Sequence, residues 1–141
     1  VEVIDPEANR IVGVLDTTRL QWWAGSQRPW GEHPAHVPAA VQIQMPATLA
    51  QLHVIYVLGK RTTEGWIGWG THVKMARFGS PALIGPPVIA ECVATRVRNI
   101  NGTLFCTYEF TFRQEDRVTY QSEQTAAWRR GDHRGPCPDE V

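Results

Sequence analysis

The chain has 141 residues, of which 43% are hydrophobic and 20% are charged, and its formal net charge is zero. This length and composition fit one globular domain that can bury a core without metals or disulfides. Lysine and arginine are scattered along the chain, so nucleic acid is not an expected partner. No apolar run approaches the ~20 residues that span a bilayer, so we expect no membrane segment.

The three cysteines are Cys92, Cys106 and Cys137. An odd number argues against a disulfide framework. A metal site needs thiol or imidazole groups at short spacing, and the sequence lacks such a cluster. We therefore expect reduced thiols, no metal and a cytoplasmic location.

Both ends of the sequence lack apolar periodicity and contain proline or glycine. We expect residues 1–9 and residues 130–141 to be loosely held, on either side of one domain spanning residues 10–129. Within that domain, the apolar run Arg10 to Leu15 predicts a short strand.

A helix and a loop should follow this strand. Asp16, Thr17 and Thr18 offer N-capping oxygens for a short helix that ends at Gly25. The segment from Ser26 to Gln44 then predicts a long loop, and loops of this length are usually functional or disordered.

The central signal is a helix from Pro46 to Leu58. Proline suits the first helical position, and Gly59 is a natural C-terminal stop. Only Thr48, Gln51 and His53 interrupt the apolar surface. A helix that is apolar nearly all round is expected to be buried on nearly all sides.

Alternating apolar residues then predict a series of strands. These cover residues 66–78, 88–99, 104–113 and 118–128. Asn101-Gly102 predicts a tight hairpin turn. In the register that this turn sets, Cys92 faces Thr111 and Cys106 faces Val97, so the two sulfurs are not opposed.

Short turns make neighbouring strands antiparallel, and the apolar helix needs a covering layer. The sequence therefore predicts an α+β protein in which a sheet of about five strands wraps around one buried central helix. This arrangement is the hot-dog fold.

A family resemblance rests on the order of two stretches. The first is Leu20-Gln21-Trp22-Trp23-Ala24-Gly25-Ser26-Gln27-Arg28-Pro29, and the second runs from Thr71 to Phe78, through Pro81 and Ile84-Gly85, to Val88–Val97. Across residues 10–129 this order resembles the MaoC-like, or R-specific, enoyl-CoA hydratases and dehydratases of the hot-dog superfamily. The first stretch is similar to their short helix and catalytic loop, and the second to their long strand, turn and returning strand.

The resemblance implies catalysis from the loop, with departures. Aligned without gaps, Ser26, Arg28 and Gly31 take the positions of the family's catalytic Asp, its Asn and its His. A two-residue insertion instead brings His33 to the histidine position with Glu32 beside it. Glu32 and His33 are therefore the expected groups that move a proton and orient water.

The expected substrate-binding residues surround the start of the helix. The Met45 N–H would polarise a thioester carbonyl there, and Arg28 would pair with a phosphate of the substrate's carrier. Trp30 would line an acyl pocket. The full expected set is Ser26, Arg28, Trp30, His36, Met45 and Thr48.

The resemblance implies a lyase that hydrates or dehydrates an acyl thioester. Two alternatives stay open: a thioesterase on the same scaffold, and a non-catalytic acyl-binding subunit that completes a partner's site. No cofactor is expected beyond the CoA or phosphopantetheine arm that carries the substrate. The expected partners are an acyl-CoA or acyl carrier protein, and a second copy or related subunit joined edge to edge.

Overall fold

The computed structural model describes residues 1–20, Gln27 and residues 34–131. Its elements are strands β1 (Val3–Asp5) and β2 (Arg10–Leu15), a 3-10 helix (Thr17–Leu20), helix α1 (Ala39–Tyr56), a second 3-10 helix (Thr62–Glu64), and strands β3 (Trp66–Phe78), β4 (Val88–Ile100), β5 (Thr103–Gln114) and β6 (Arg117–Arg130). None of these helices combines the length and the apolar character needed to cross a membrane.

The strands form one six-stranded antiparallel sheet in the order β1-β2-β4-β5-β6-β3. The predicted α+β class, an antiparallel sheet against a single long helix, is confirmed, with one strand more than the five expected. The additional strand is β1, in which Val3 and Ile4 pair with Val12 and Ile11. Within residues 1–9, which the sequence predicts to be loosely held, Val3–Asp5 thus pair with the edge of β2.

The hairpin of β4 and β5 turns where the sequence predicts. Asn101 and Gly102 have φ values of 50° and 80°, the left-handed conformation that this turn requires. Cys106 lies opposite Val97, as predicted, but Cys92 lies opposite Phe110 instead of Thr111. The difference arises from a register shift between Ala94 and Arg96, which moves every pair farther from the turn along by one residue.

Strand β5 supplies the middle of the core. Its alternation is nearly complete, and the side chains on the inner face are buried: Leu104, Cys106, Tyr108, Phe110, Phe112 and Gln114. Each fully buried large apolar side chain contributes about 1.5–3 kcal/mol through the hydrophobic effect. The inner-face side chains of β5 are therefore the ones on which the helix and the neighbouring strands pack.

Helix α1 begins at Ala39, so the prediction of a helix starting at Pro46 is wrong, and so is the prediction of a loop extending to Gln44. Proline favours the first helical position, but that preference is weak beside tertiary packing. Val41 and Met45 both pack against the core, so the apolar stripe already starts in the turn before Pro46. The predicted stop is confirmed, because Gly59 has φ 66° and the N–H of Lys60 bonds back to the carbonyl of Val54.

Helix α1 is buried on one face only. Ile43 is 53% exposed and Tyr56 is 56% exposed, so the prediction of burial on nearly all sides does not hold in the single chain. The backbone of α1 approaches β2 and β4 more closely than the other strands. At β2 the approach is tight, because a Cβ on Gly13 would lie 3.2 Å from a methyl group of Leu49.

Candidate functional site

A cavity of about 400 Å³ lies between α1 and strands β3, β5 and β6. Its walls come from the middle of α1, from the start of β3 and from the facing parts of β5 and β6. The lining residues are Pro46, Ala47, Ala50, Gln51, Thr62, Trp66, Ile67, Gly68, Trp69, Gly70, Tyr108, Phe110, Gln124, Thr125, Ala126 and Trp128.

Burial divides this lining into a floor and a rim. The cavity floor consists of the buried residues Ala50, Tyr108, Phe110, Ala126 and Trp128. The cavity rim consists of the exposed residues Ala47, Gln51, Thr62, Ile67 and Trp69. A ligand would thus enter beside β3 and extend inward beneath α1.

Two glycines of β3, Gly68 and Gly70, line the cavity without side chains. Gly68 lies opposite Trp128 in the pairing of β3 with β6, and a Cβ on Gly68 would overlap the indole ring. A Cβ on Gly70 would meet no atom within 4 Å. Gly68 therefore makes room for the Trp128 ring, while Gly70 simply leaves the rim open.

The described lining carries no formal charge. None of the described residues around the cavity is Asp, Glu, His, Lys or Arg. Its polar groups are the amides of Gln51 and Gln124, the hydroxyls of Thr62, Thr125 and Tyr108, and the indole N–H groups of its tryptophans. Burying a charge without a partner is costly, so this cavity suits an uncharged and mainly apolar ligand group.

A buried polar pair lies at the floor. The Nδ1 atom of His53 is 3.2 Å from the hydroxyl oxygen of Tyr108, and both side chains are almost fully buried. Burial lowers the pKa of His53 to about 4, so the imidazole is neutral near pH 7. Burial also raises the pKa of Tyr108, with the neighbouring Cys106 adding to the effect, so the phenol keeps its proton.

Five of the eight predicted site residues lie outside the described residues. They are Ser26, Arg28, Trp30, Glu32 and His33. Their predicted roles stay predictions.

The other predicted site residues do not line the cavity. His36 forms a β-bridge with Leu83, and its carbonyl accepts a hydrogen bond of 2.8 Å from the amide of Gln27. Met45 packs against the core from inside α1, so it does not mark the helix start as predicted. Thr48 is exposed on α1.

The sequence identified few of the residues that do form the site. Gln51 drew attention only as a polar break on an apolar helix, Tyr108 only as a member of a strand, and Trp128 only as a core or interface residue. A usable signal existed for Tyr108, because its hydroxyl stands in a row that is otherwise filled by Leu104, Cys106 and phenylalanines. Buried hydroxyls need hydrogen-bond partners, so such a position merits attention.

Solved structures provide the comparison. A putative thioesterase from Ralstonia eutropha JMP134, described as a phenylacetic acid degradation-related protein, superposes with a TM-score of 0.65 at 16% identity, covering 89% of this chain and 81% of that one. The fluoroacetyl-CoA thioesterase FlK gives 0.61 at 9% identity, covering 86% and 85%. A thioesterase from Haemophilus influenzae gives 0.59 at 16% identity, covering 89% and 76%. No protein-family model and no curated protein sequence matches the chain.

The chain has the hot-dog fold. The hot-dog fold that the sequence resemblance implies is therefore confirmed. These three hot-dog neighbours are described as thioesterases, so they do not support the MaoC-like hydratase group in particular. At such low identities the likeness establishes the fold and leaves the chemistry to be argued from the site.

The depressed pKa of His53 makes a prediction about stability. The unfolded chain binds a proton at this residue near pH 6.5, and the folded chain only near pH 4, so acid favours unfolding between these values. The slope is about 1.4 kcal/mol per pH unit. Urea denaturation should therefore show that the free energy of unfolding falls between pH 7 and pH 5 by about 2 kcal/mol more in the wild type than in His53→Gln. His72→Gln, at an exposed histidine, should keep the wild-type loss; equal losses in all three proteins would contradict this account.

The contact of Gly68 with Trp128 makes a second prediction. Gly68→Ala should lower the free energy of unfolding by about 1–3 kcal/mol, because the added methyl group overpacks the indole ring. Gly70→Ala, two residues away on the same strand, should change it by no more than ~0.5 kcal/mol, as is usual for an unhindered surface position. Urea denaturation of both variants measures the difference. Equal effects would show that Gly68 does not position the indole.

Proposed function

We propose that this chain is a hot-dog thioesterase that hydrolyses an acyl-CoA. The observation that carries the proposal is the cavity, whose described lining is uncharged and whose volume of about 400 Å³ falls in the range of small-molecule sites. The solved thioesterases that share the fold give further support. A thioesterase was the first alternative left open by the sequence.

In this proposal the acyl group fills the cavity and the CoA stays outside it. CoA carries phosphate charges, and the described part of the lining offers no cation to pair with them. Positive charge is available next to the cavity, where the Nζ of Lys60 lies 5.0 Å from the ring centroid of Trp66. The thioester would then sit at the rim, within reach of the Gln51 amide as a hydrogen-bond donor to its carbonyl oxygen.

The base that activates water is proposed to come from the loop before α1. Hydrolysis needs a group that accepts a proton from water, and the described cavity lining has no carboxylate or imidazole to do so. We therefore retain Glu32 and His33 as the proposed catalytic residues. Ser26, Arg28 and Trp30 are proposed contacts to the thioester and its carrier.

The activity is tested with acyl-CoAs of different length. We expect release of free CoA thiol, measured with a thiol-reactive dye, from hexanoyl-CoA and related substrates. Gln51→Ala should lower kcat/KM by about 100-fold, the loss typical of one removed oxyanion donor. Gln44→Ala is the matched control, because Gln44 is exposed on the same helix and does not line the cavity, and it should retain wild-type activity.

The loop residues are tested in the same assay. Glu32→Ala and His33→Ala should each lower kcat by about 10²–10⁴-fold if they move the proton. Unchanged turnover in both would refute this assignment. Hydration of crotonyl-CoA without thiol release would identify a lyase instead, and binding without either reaction would identify a non-catalytic subunit.

We further propose that two sheets join along β3, which places a second copy or a related hot-dog subunit next to the cavity. In the described sheet β3 is an edge strand of 13 residues, and long apolar edges favour pairing with another chain. Its exposed apolar side chains are Ile67, Trp69, Val73, Met75 and Phe78.

Analytical ultracentrifugation tests the assembly. The wild type should sediment as a dimer, or as a larger assembly built from dimers, and Val73→Lys should shift it toward the monomer by placing a charge in the apolar edge. Ile4→Lys is the matched control, since Ile4 is an exposed residue of β1 at the opposite edge of the sheet. A monomeric wild type, or dissociation by both variants alike, would contradict pairing through β3.

A further inference from the structure

Two buried side chains, one in the cavity floor and one that contacts the floor, have nitrogen atoms with no hydrogen-bond partner among the described residues. The indole N–H of Trp128 is buried and has no hydrogen-bond partner there. The same is true of Nε2 of His53, on the ring whose Nδ1 contacts the Tyr108 hydroxyl. Buried polar groups are nearly always paired, so each of these atoms needs an explanation.

The unused group that borders the cavity is a donor. Trp128 is 8% exposed and lines the cavity, and an indole N–H can only donate. Its N–H approaches the Tyr108 hydroxyl closely enough to lower the pKa of that phenol, against the larger rise caused by burial, but it forms no hydrogen bond of good geometry there. The Tyr108 hydroxyl also lines the cavity, and its single proton is available to a ligand when it is not donated to His53.

The tautomer of the neutral His53 does not provide a partner for the Trp128 N–H. If its Nδ1 accepts the phenol proton, its own N–H lies on Nε2, where it has no described partner. If Nδ1 donates to the phenol oxygen, the phenol O–H is released to point elsewhere. In both tautomers the Trp128 indole N–H borders the cavity without a hydrogen-bond partner among the described residues.

We infer that the cavity floor binds an acceptor oxygen carried by the ligand. On the proposed function, which places the acyl group inside the cavity, this oxygen belongs to the acyl chain itself. The preferred substrates are then acyl thioesters with an oxo group along the chain, ahead of unsubstituted acyl thioesters of equal length. A site built to hydrogen-bond a substrate group discriminates against an analogue that lacks it, because its own buried groups are left unpaired.

The same lining argues against a charged alternative. A carboxylate at the end of the acyl chain would also accept from Trp128 and Tyr108. Among the described residues no cationic side chain lines the cavity to balance its charge, and an unpaired buried carboxylate is strongly disfavoured. A neutral carbonyl oxygen therefore fits better than a carboxylate.

The experiment measures binding without turnover. CoA amides, in which nitrogen replaces the thioester sulfur, resist hydrolysis, so calorimetry can give Kd for the hexanoyl amide and for its 3-oxo, 4-oxo and 5-oxo forms. At one of these positions the oxo amide should bind about 5- to 10-fold more tightly than the hexanoyl amide, the value of one hydrogen bond. Trp128→Phe keeps an aromatic ring and removes the N–H, so the ratio of the two Kd values should fall toward one.

Two further variants make the test specific. Tyr108→Phe removes the second donor and should also reduce the ratio, which protects the test if Trp128→Phe does not fold. Trp69→Phe, the same exchange at the rim, should leave the ratio as in the wild type. A 5-carboxypentanoyl amide should bind more weakly than the hexanoyl amide.

The outcomes separate this inference from the proposed function. Binding without any oxo preference, or a preference that persists in both Trp128→Phe and Tyr108→Phe, would overturn the inference alone. Failure of every amide to bind would overturn the proposed acyl orientation and the inference with it. An oxo preference in a protein that hydrolyses no thioester would support the inference while the thioesterase proposal fails.

Discussion

The width of one helix sets the architecture of this protein. An α-helix with its side chains is about 10–12 Å across, whereas six strands at ~4.8 Å spacing span about 24 Å. Helix α1 therefore cannot cover the whole sheet, and its closest approach is to β2 and β4. The cavity opens on the other side, where β6 and β3 extend beyond the helix. A ligand site thus follows from packing geometry before any functional side chain is considered.

At this uncovered side of the sheet, some residues shape the cavity by their size and others supply its polar atoms. Gly68 leaves room for the Trp128 ring against β3, and the ring forms part of the buried floor. Tyr108 and Trp128 bring polar atoms to a floor that is otherwise apolar, and His53 contacts Tyr108. Such buried polar groups are costly unless something completes their hydrogen bonds, which is why the floor, more than the rim, suggests what the ligand must carry.

Local signals in the sequence predict much of the fold, and packing accounts for the failures. Alternation predicts β3 to β6 closely, and Asn101-Gly102 predicts their central turn, because both depend on neighbouring residues. The start of α1 was missed because Val41 and Met45 pack on a core assembled from distant strands. The partner of Cys92 was missed because a bulge has no clear local signature here. The cavity depends on which strands α1 leaves uncovered, so Tyr108 and Trp128 could be recognised as a pair only in three dimensions.

The described cavity lining has no charge, and this determines how salt should affect ligand binding. Contacts of a neutral acyl group with an uncharged wall are barely screened by added electrolyte, whereas a partly exposed lysine such as Lys60 interacts over a Debye length of about 8 Å at physiological ionic strength. In the proposed thioesterase, higher ionic strength would weaken binding of the nucleotide end of the substrate and leave selection among acyl groups unaltered. The salt-dependent and salt-independent contributions to binding would come from physically separate surfaces.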